Sequence, residues 1–441
     1  MNLGTAVSRF LFFYLGDFFF VINQRLIAID ILIDILEKKA YNNITLRHTF
    51  ANIPQLEPQQ RAFITDIVNG TLRNLLHIDY IINTFSHTKT KKMQTIVLYA
   101  LRIATYEMVY TKTKKYAICN EAVNMVKQKH KHLTAFTNGV LRVIAKSSPR
   151  DITYPKDTHE RLSVLYSVPI WIIKYLAKSL SEHEIEDFCR ASAKPPDINC
   201  AVNTLKTNRD DLIENLKNHN IIAWPGANPN SIVVTKTKDI SVAESFVNGY
   251  FHIMDQMSMT AIDILDPKPG QTLYDICAAP GGKSFYSAYK MKGNGQIFAS
   301  DIHPHKELLI ENGAKRLGID IIKIVPPNSY EKNIADCVLI DAPCSGFGTF
   351  AKKPDIKYTK NMKTVEQLAK TQRDILNNSA QLPKPGGLLM YCSCTISVLE
   401  NQDNARYFLE NYDYELVLEK QFVTTEETDG FYVAVFRRSM R

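Results

Sequence analysis

Apolar residues recur every three or four positions from about residue 23 to residue 148. RLIAIDILIDILEKKA, QQRAFITDIVNGTLRNLLHIDYIINTF, MQTIVLYALRIATYEMVY, AICNEAVNMVKQ and LTAFTNGVLRVIAK each carry that spacing, with short polar breaks between them. The pattern predicts amphipathic helices that bury one stripe apiece, hence an all-helical bundle over 23–148. From 149 to 247 the texture changes. Pro149, Pro155, Pro169, Pro195 and Pro196 punctuate the chain, and INCAVNTL and SIVVTKT read as strands around a helical DDLIENLKNHN. A small α+β module is expected there. From 248 to 441 short apolar runs (TLYDIC, GQIFASDI, IIKIV, CVLIDAP, GGLLMYCSC) alternate with helical stretches such as HKELLIENGAKRLG and TVEQLAKTQRDILNNSAQL. Such alternation predicts a mostly parallel, Rossmann-like α/β sheet covered by helices, with ligands beyond the carboxyl ends of the strands.

The first 22 residues depart from these patterns. FLFFYLGDFFFVI, Phe10 to Ile22, is strongly apolar but short and contains Asp17. It reads as an apolar extension rather than a comfortable membrane span, so stable membrane association is not expected.

Composition narrows the class. A chain of 441 residues with 45% hydrophobic and 22% charged residues is long enough for more than one core and is not a disordered chain. A net charge of +8 tilts it toward polyanions. Lysines gather in the helical region at Lys89, Lys91 and Lys92, at Lys112, Lys114 and Lys115, and at Lys127, Lys129 and Lys131, with His87, His130 and His132 among them. Tyr110 and Tyr116 offer rings for unpaired bases. A plain solvated lysine surface is the alternative. Eight cysteines without a paired framework fit a reducing cytoplasm.

The chemistry concentrates at three strand ends. DICAAPGGKS, Asp275 to Ser284, ends like a phosphate loop, but Cys277 stands where that loop requires its first glycine. What remains is a strand, an acid and a turn of small residues that lets backbone approach a bulky ligand. The next strand ends at Asp301, suitably placed for a ribose diol. A nucleoside cofactor without a triphosphate is implied; the alternative is a tight βα turn with Asp301 as a helix cap. IDAPCSG places Cys344 after one strand, and YCSCT places Cys392 and Cys394 at the end of another. Two thiols on the cofactor edge suggest covalent chemistry at an electron-poor carbon. The alternative is a metal held by Cys392 and Cys394 on one strand face, but no second close pair exists and no metal site is expected. His303 and His305 read as cap or surface residues. Cys119, Cys189, Cys200 and Cys337 read as small buried hydrophobes.

Together DICAAPGGKS, IDAPCSGFG, KKPDIKY and YCSCT-x4-EN resemble the Nop/Sun family of RNA (cytosine-5) methyltransferases. The helical half, with TNGVLR, resembles NusB, and the order of parts is similar to the Sun-type enzymes of 16S ribosomal RNA. The resemblance runs from about residue 23 through TDGFYVAVFRR. It implies S-adenosylmethionine as cofactor, wrapped by Cys277, Ala278, Ala279, Pro280, Gly281, Gly282 and Lys283, with Asp301 on the ribose. It implies Cys394 as the nucleophile, Cys344 as the thiol that aids product release, Asp341 near both cofactor and base, and Lys283 facing the base. The implied partner is ribosomal RNA, bound by a monomer through Lys352, Lys353 and Lys357 among others. Three positions depart from the family pattern. Asn328 stands where an acid usually meets the adenine, Lys352 and Lys353 replace arginines, and Ser393 and Thr395 exchange the hydroxyl residues around Cys394. The missing acid leaves a second reading open: a NusB-like RNA-binding or assembly factor with a decayed catalytic half.

Overall fold

The computed structural model describes residues 23–235, 240–327 and 329–440. The expected apolar extension over 1–22 and Asn328 lie outside the described residues. The chain divides into two compact units. One runs to Pro195 and takes in Phe350–Thr359; the other holds Pro196–Thr349 and the chain from Lys360 onward.

The first unit is helical throughout. Helix Thr95–Tyr110 is buried nearly all round, with Ile96, Val97, Tyr99, Leu101 and Ile103 in the core. The neighbouring helices Gln24–Leu36, Pro58–Arg73, Leu75–Phe85, Lys115–Lys127 and Thr134–Lys146 turn their apolar stripes onto the same core. Helix starts follow the side chains available. The Asn23 side chain accepts from the backbone N–H of Arg25 and Leu26, and Ser181 forms a reciprocal cap with Glu184. At Gly70 a Cβ would lie 2.0 Å from the Tyr106 ring, so only glycine lets these two helices approach.

The helical unit runs past the bundle expected over 23–148, as far as Pro195. Helices Thr158–Tyr166, Ile170–Leu176 and Glu182–Ala193 belong to the helical unit, with Leu162, Ile172, Ile173, Ile185 and Phe188 buried. Pro149 and Pro169 sit at helix starts, where a missing N–H costs nothing.

The second unit carries two sheets. Strands β1 (Ile198–Val202), β2 (Ala223–Pro225), β3 (Ser231–Val234) and β4 (Phe251–Ile253) form an antiparallel sheet in the order β2-β3-β1-β4, packed on helix Arg209–Asn218. The larger sheet contains β5 (Thr272–Asp275), β6 (Gln296–Ala299), β7 (Ile322–Ile324), β8 (Ala335–Asp341), β9 (Pro383–Ser393), β10 (Tyr414–Phe422) and β11 (Phe431–Arg438) in the order β10-β11-β9-β8-β5-β6-β7. Strands β5 to β9 run parallel, matching the apolar runs seen in the sequence, while β11 pairs antiparallel with both β9 and β10. Helices on both faces bury the sheet. Gln256–Leu265, Gly282–Lys290 and Glu307–Leu317 cover one side, and Met362–Ser379 and Gln402–Asn411 the other. Among the described residues no helix is long and apolar enough to cross a membrane.

Candidate active site

Three adjacent parallel strands deliver the site. β5 ends at Asp275, β8 at Asp341 and β9 at Ser393, and the β8–β9 register sets Asp341 opposite Cys392. Because the strands run the same way, their carboxyl ends open at one edge. There the chain turns from β5 through a cis Ala279–Pro280 bond into helix Gly282–Lys290, with Gly281 at φ 106° as its N-cap.

Cys277, Ala278, Ala279, Pro280, Gly282 and Lys283 line a cavity of about 160 Å³ with Asp275 and Asp341. Asp275 is 1% exposed. Its Oδ2 accepts from Ser284 Oγ at 2.6 Å, while Oδ1 has no hydrogen-bond partner. Burial pushes this carboxyl up to about 7 against the pull of Ser284. A buried acceptor without a donor calls for a ligand that brings one. Lys283 Nζ lies 2.5 Å from Asp341 Oδ2 and 5.6 Å from the centre of the Phe431 ring. Burial works against the Lys283 charge, but Asp341, Cys392 and Cys394 outweigh it and raise the ammonium above its ordinary value.

The two thiols meet. Cys344 Sγ and Cys394 Sγ are 3.3 Å apart, and the Cys392 thiol faces Asp341 Oδ1 at 3.8 Å. The hydrogen bond to Cys394, then burial, then the charges of Cys394, Glu400 and Asp341 hold Cys344 well above the ordinary thiol range. Cys392 is likewise raised, chiefly by burial. A thiolate at Cys394 therefore has a counter-charge in Lys283 and a donor in the Cys344 S–H. The backbone enforces the contact. Gly348 N donates to Cys394 O, Gly430 N donates to Gly348 O, and a Cβ on Gly348 would lie 2.0 Å from that Gly430 backbone.

Three family models match the chain. One described as 16S rRNA methyltransferase RsmB/F matches residues 262–437, one for the NusB family matches 22–146, and one for the RsmF/B-like ferredoxin-like domain matches 168–241. The probable ribosomal RNA small subunit methyltransferase B of Bacillus subtilis (strain 168) is 34% identical over 94% of this chain and 98% of its own. The chain belongs to the RsmB/F family of methyltransferases. A second relative, ribosomal RNA small subunit methyltransferase B of Shewanella oneidensis, is 27% identical over 88% of this chain and 90% of its own. The crystal structure of PH0851 superposes with a TM-score of 0.77 at 26% identity, covering 95% of this chain and all of that one.

Within this RsmB/F chain the structure brings Lys283, Asp341, Cys344 and Cys394 into one cluster beside the Cys277–Lys283 turn. Asp301 follows the neighbouring strand β6; it is 7% exposed, accepts from His303 N at 3.0 Å, and lies 3.6 Å from Lys306 Nζ. His305 stands beside His303, and no group of three or more metal-ligating side chains occurs among the described residues.

Lys357 requires a correction. It was expected to face RNA, but it is 1% exposed inside the helical unit. Its ammonium points at the carbonyls of Arg73, Tyr166 and Ser192, at 3.2, 3.4 and 3.4 Å. Each lies at the last turn of a helix, where partial negative charge collects. Asp355, two residues earlier, accepts from Asn42 N at the start of helix Asn42–Asn52, the complementary end. The PDIK stretch thus caps helices from inside. Lys353 is exposed and Lys352 partly so. Of the proposed stacking rings, Tyr116 is exposed, while Tyr110 hydrogen-bonds His77 and stacks on Tyr106.

Sequence reasoning missed several contributors. Met254, Asp255 and Ser258 line the cavity from the start of helix Gln256–Leu265. His252 donates from Nε2 to Gly282 O at 3.2 Å and takes the Tyr289 hydroxyl at Nδ1, the carbonyl fixing the tautomer. Burial pushes it down to about 3, so it stays neutral while it braces the cofactor turn. A lone histidine within a three-residue strand carries no signal of that task. Ser393 bonds Asn401, whose amide donates to Thr395 O; the hydroxyl exchange around Cys394 is therefore accommodated by the EN pair downstream.

Proposed function

We propose that this protein transfers a methyl group from S-adenosylmethionine to C5 of a cytosine in 16S ribosomal RNA, with Cys394 as the nucleophile. The observation that carries the reading is the 3.3 Å approach of Cys344 to Cys394 beside the Lys283–Asp341 pair. The names of the two curated relatives support ribosomal RNA as the substrate.

The cavity suits the cofactor. Its small-residue turn lets a bulky ligand approach the backbone, and the unpartnered Asp275 Oδ1 offers an acceptor to a donor on that ligand. S-adenosylmethionine bound there supplies an electrophilic methyl group. Asp301, and Asn328 beyond the described residues, are the candidates for its ribose and adenine.

Every other task falls to side chains. Cytosine C5 is a weak nucleophile. Addition of the Cys394 thiolate at C6 moves the ring electrons to C5 and makes it enamine-like. Lys283 holds Asp341 where it can accept from the cytosine N4 amine, and the Lys283 ammonium offsets the negative charge that builds on the ring at N3 during addition. After methylation water takes the C5 proton, its electron pair forms the C5–C6 double bond, and the C6–S bond breaks with its electrons going to the Cys394 sulfur, so that the ring is aromatic again. Cys344, kept as a thiol at 3.3 Å, is placed to protonate the departing sulfur or to relay through water. Exposed Lys353 and the lysines of the helical unit are the phosphate contacts of this reading.

Bisulfite sequencing of ribosomal RNA from a strain lacking the gene tests it. One cytosine of the small-subunit RNA loses its protection and regains it on complementation. A pattern identical in both strains refutes the assignment.

A further inference from the structure

The mechanism leaves one buried carboxylate without a task. Glu400 is 0% exposed and lies behind the thiols. Its Oε1 accepts from Ser345 N at 2.8 Å and from Gln372 Nε2 at 3.1 Å, and its Oε2 meets Ser345 Oγ at 2.5 Å. Ser345 Oγ lies 2.7 Å from Thr395 Oγ1. Ser345 directly follows Cys344, and Thr395 directly follows Cys394. One carboxylate and one hydroxyl pair therefore tie together the residues next to both sulfurs. Gln372 adds a third hold through Pro343 O at 2.9 Å.

The placement is uneven in charge. Glu400 grips the Cys344 side of the pair, whereas Lys283 serves the Cys394 side. Burying a carboxylate together with its polar partners is costly unless the site needs them. Resting on the proposed methyl transfer, we infer that Glu400, which touches neither cofactor nor base, is the positioning residue that gives the two thiols separate roles, pinning the Cys344 loop and setting a negative charge behind it.

The groups facing Cys344 are Cys394, Glu400 and Asp341. Those facing Glu400 are Ser345, Gln372 and Ser397, with the Tyr391 hydroxyl bonded to its backbone carbonyl. Burial raises the Glu400 carboxyl and these donors oppose that, two of them N–H groups that need a lone pair. Removing its charge favours the Cys344 thiolate, so Cys344 ionises at lower pH.

The test is alkylation of the full native chain with iodoacetamide across pH, each thiol read by peptide mass spectrometry. In the native chain Cys394 reacts at lower pH than Cys344. In Glu400→Gln, Cys344 reacts about tenfold faster near neutral pH, the change expected of a shift of one pH unit. Cys344 reacting first in the native chain, or an unchanged Cys344 profile in a folded Glu400→Gln, overturns the inference. If that variant does not fold, Ser345→Ala keeps the charge and cuts the tie. It lowers kcat about tenfold and leaves KM for RNA unchanged; an unchanged kcat overturns the positioning role. Failure of the methyl-transfer reading is separable, because it shows as no adduct on Cys394 with RNA while the alkylation order still answers to Glu400.

Discussion

Among the described residues two lysines lie buried, and their surroundings send them in opposite directions. Lys283, in the sheet unit, sits against the Asp341 carboxylate, and its charge is favoured above the ordinary value despite burial. Lys357, in the helical unit, has three helix carbonyls but no carboxylate among its hydrogen-bond partners, and burial pushes it down to about 7. A full opposite charge outweighs desolvation; neutral acceptors do so only in part. In the proposed mechanism the first lysine belongs to the chemistry; the second belongs to the architecture, although the sequence motif around Lys357 reads as if it belonged to the RNA.

The contrast breaks most visibly at Lys357→Glu. A carboxylate would face three negative helix ends with no counter-ion, so the helical unit loses about 3–5 kcal/mol; urea denaturation followed by circular dichroism measures it. An unchanged midpoint would mean that the three carbonyls carry no weight. Next comes Lys283→Met, which leaves Asp341 without its counter-charge. Methyl transfer is expected to fall about 10²–10³-fold with the fold intact, read by radiolabelled methyl incorporation.

The pH dependence of stability sharpens the comparison further. Lys357 holds a value of about 7 in the folded chain against 10.5 when free. Between those values the unfolded chain binds more protons, so stability rises with pH across that window. Below about 7 both states are protonated and the burial cost is felt in full. Lys357→Met removes this rise, a slope change of at most about 1.4 kcal/mol per pH unit. The smallest effect falls on the neighbouring exposed lysine: Lys353→Ala weakens RNA binding a few-fold and lowers the salt slope by about 1, seen by titration at several salt concentrations.

Much of the architecture was legible because periodicity reports burial. The 3.6-residue stripes became the helical core around Thr95–Tyr110, and the five apolar runs became β5 to β9. Parallel alternation then placed Asp275, Asp341 and the cysteines at one edge. Strands β10 and β11 escaped assignment. Tyr414–Phe422 has mostly exposed or half-exposed residues on an edge, so it lacks an apolar signal. The helices between 158 and 193 escaped assignment because prolines mark helix starts as readily as linkers. Lys357 was misread because charge in a sequence implies solvent until three helix ends are seen around it. Glu400 stayed silent because its partners, at 345, 372 and 395, converge only in the fold.

The account depends on Cys394 being the sulfur that bonds the base. RNA carrying 5-fluorocytosine blocks loss of the C5 substituent and traps the covalent adduct, and peptide mapping names the cysteine that holds it. The adduct is expected on Cys394, persisting in Cys344→Ala and absent in Cys394→Ala. An adduct on Cys344 that survives loss of Cys394 would contradict the account.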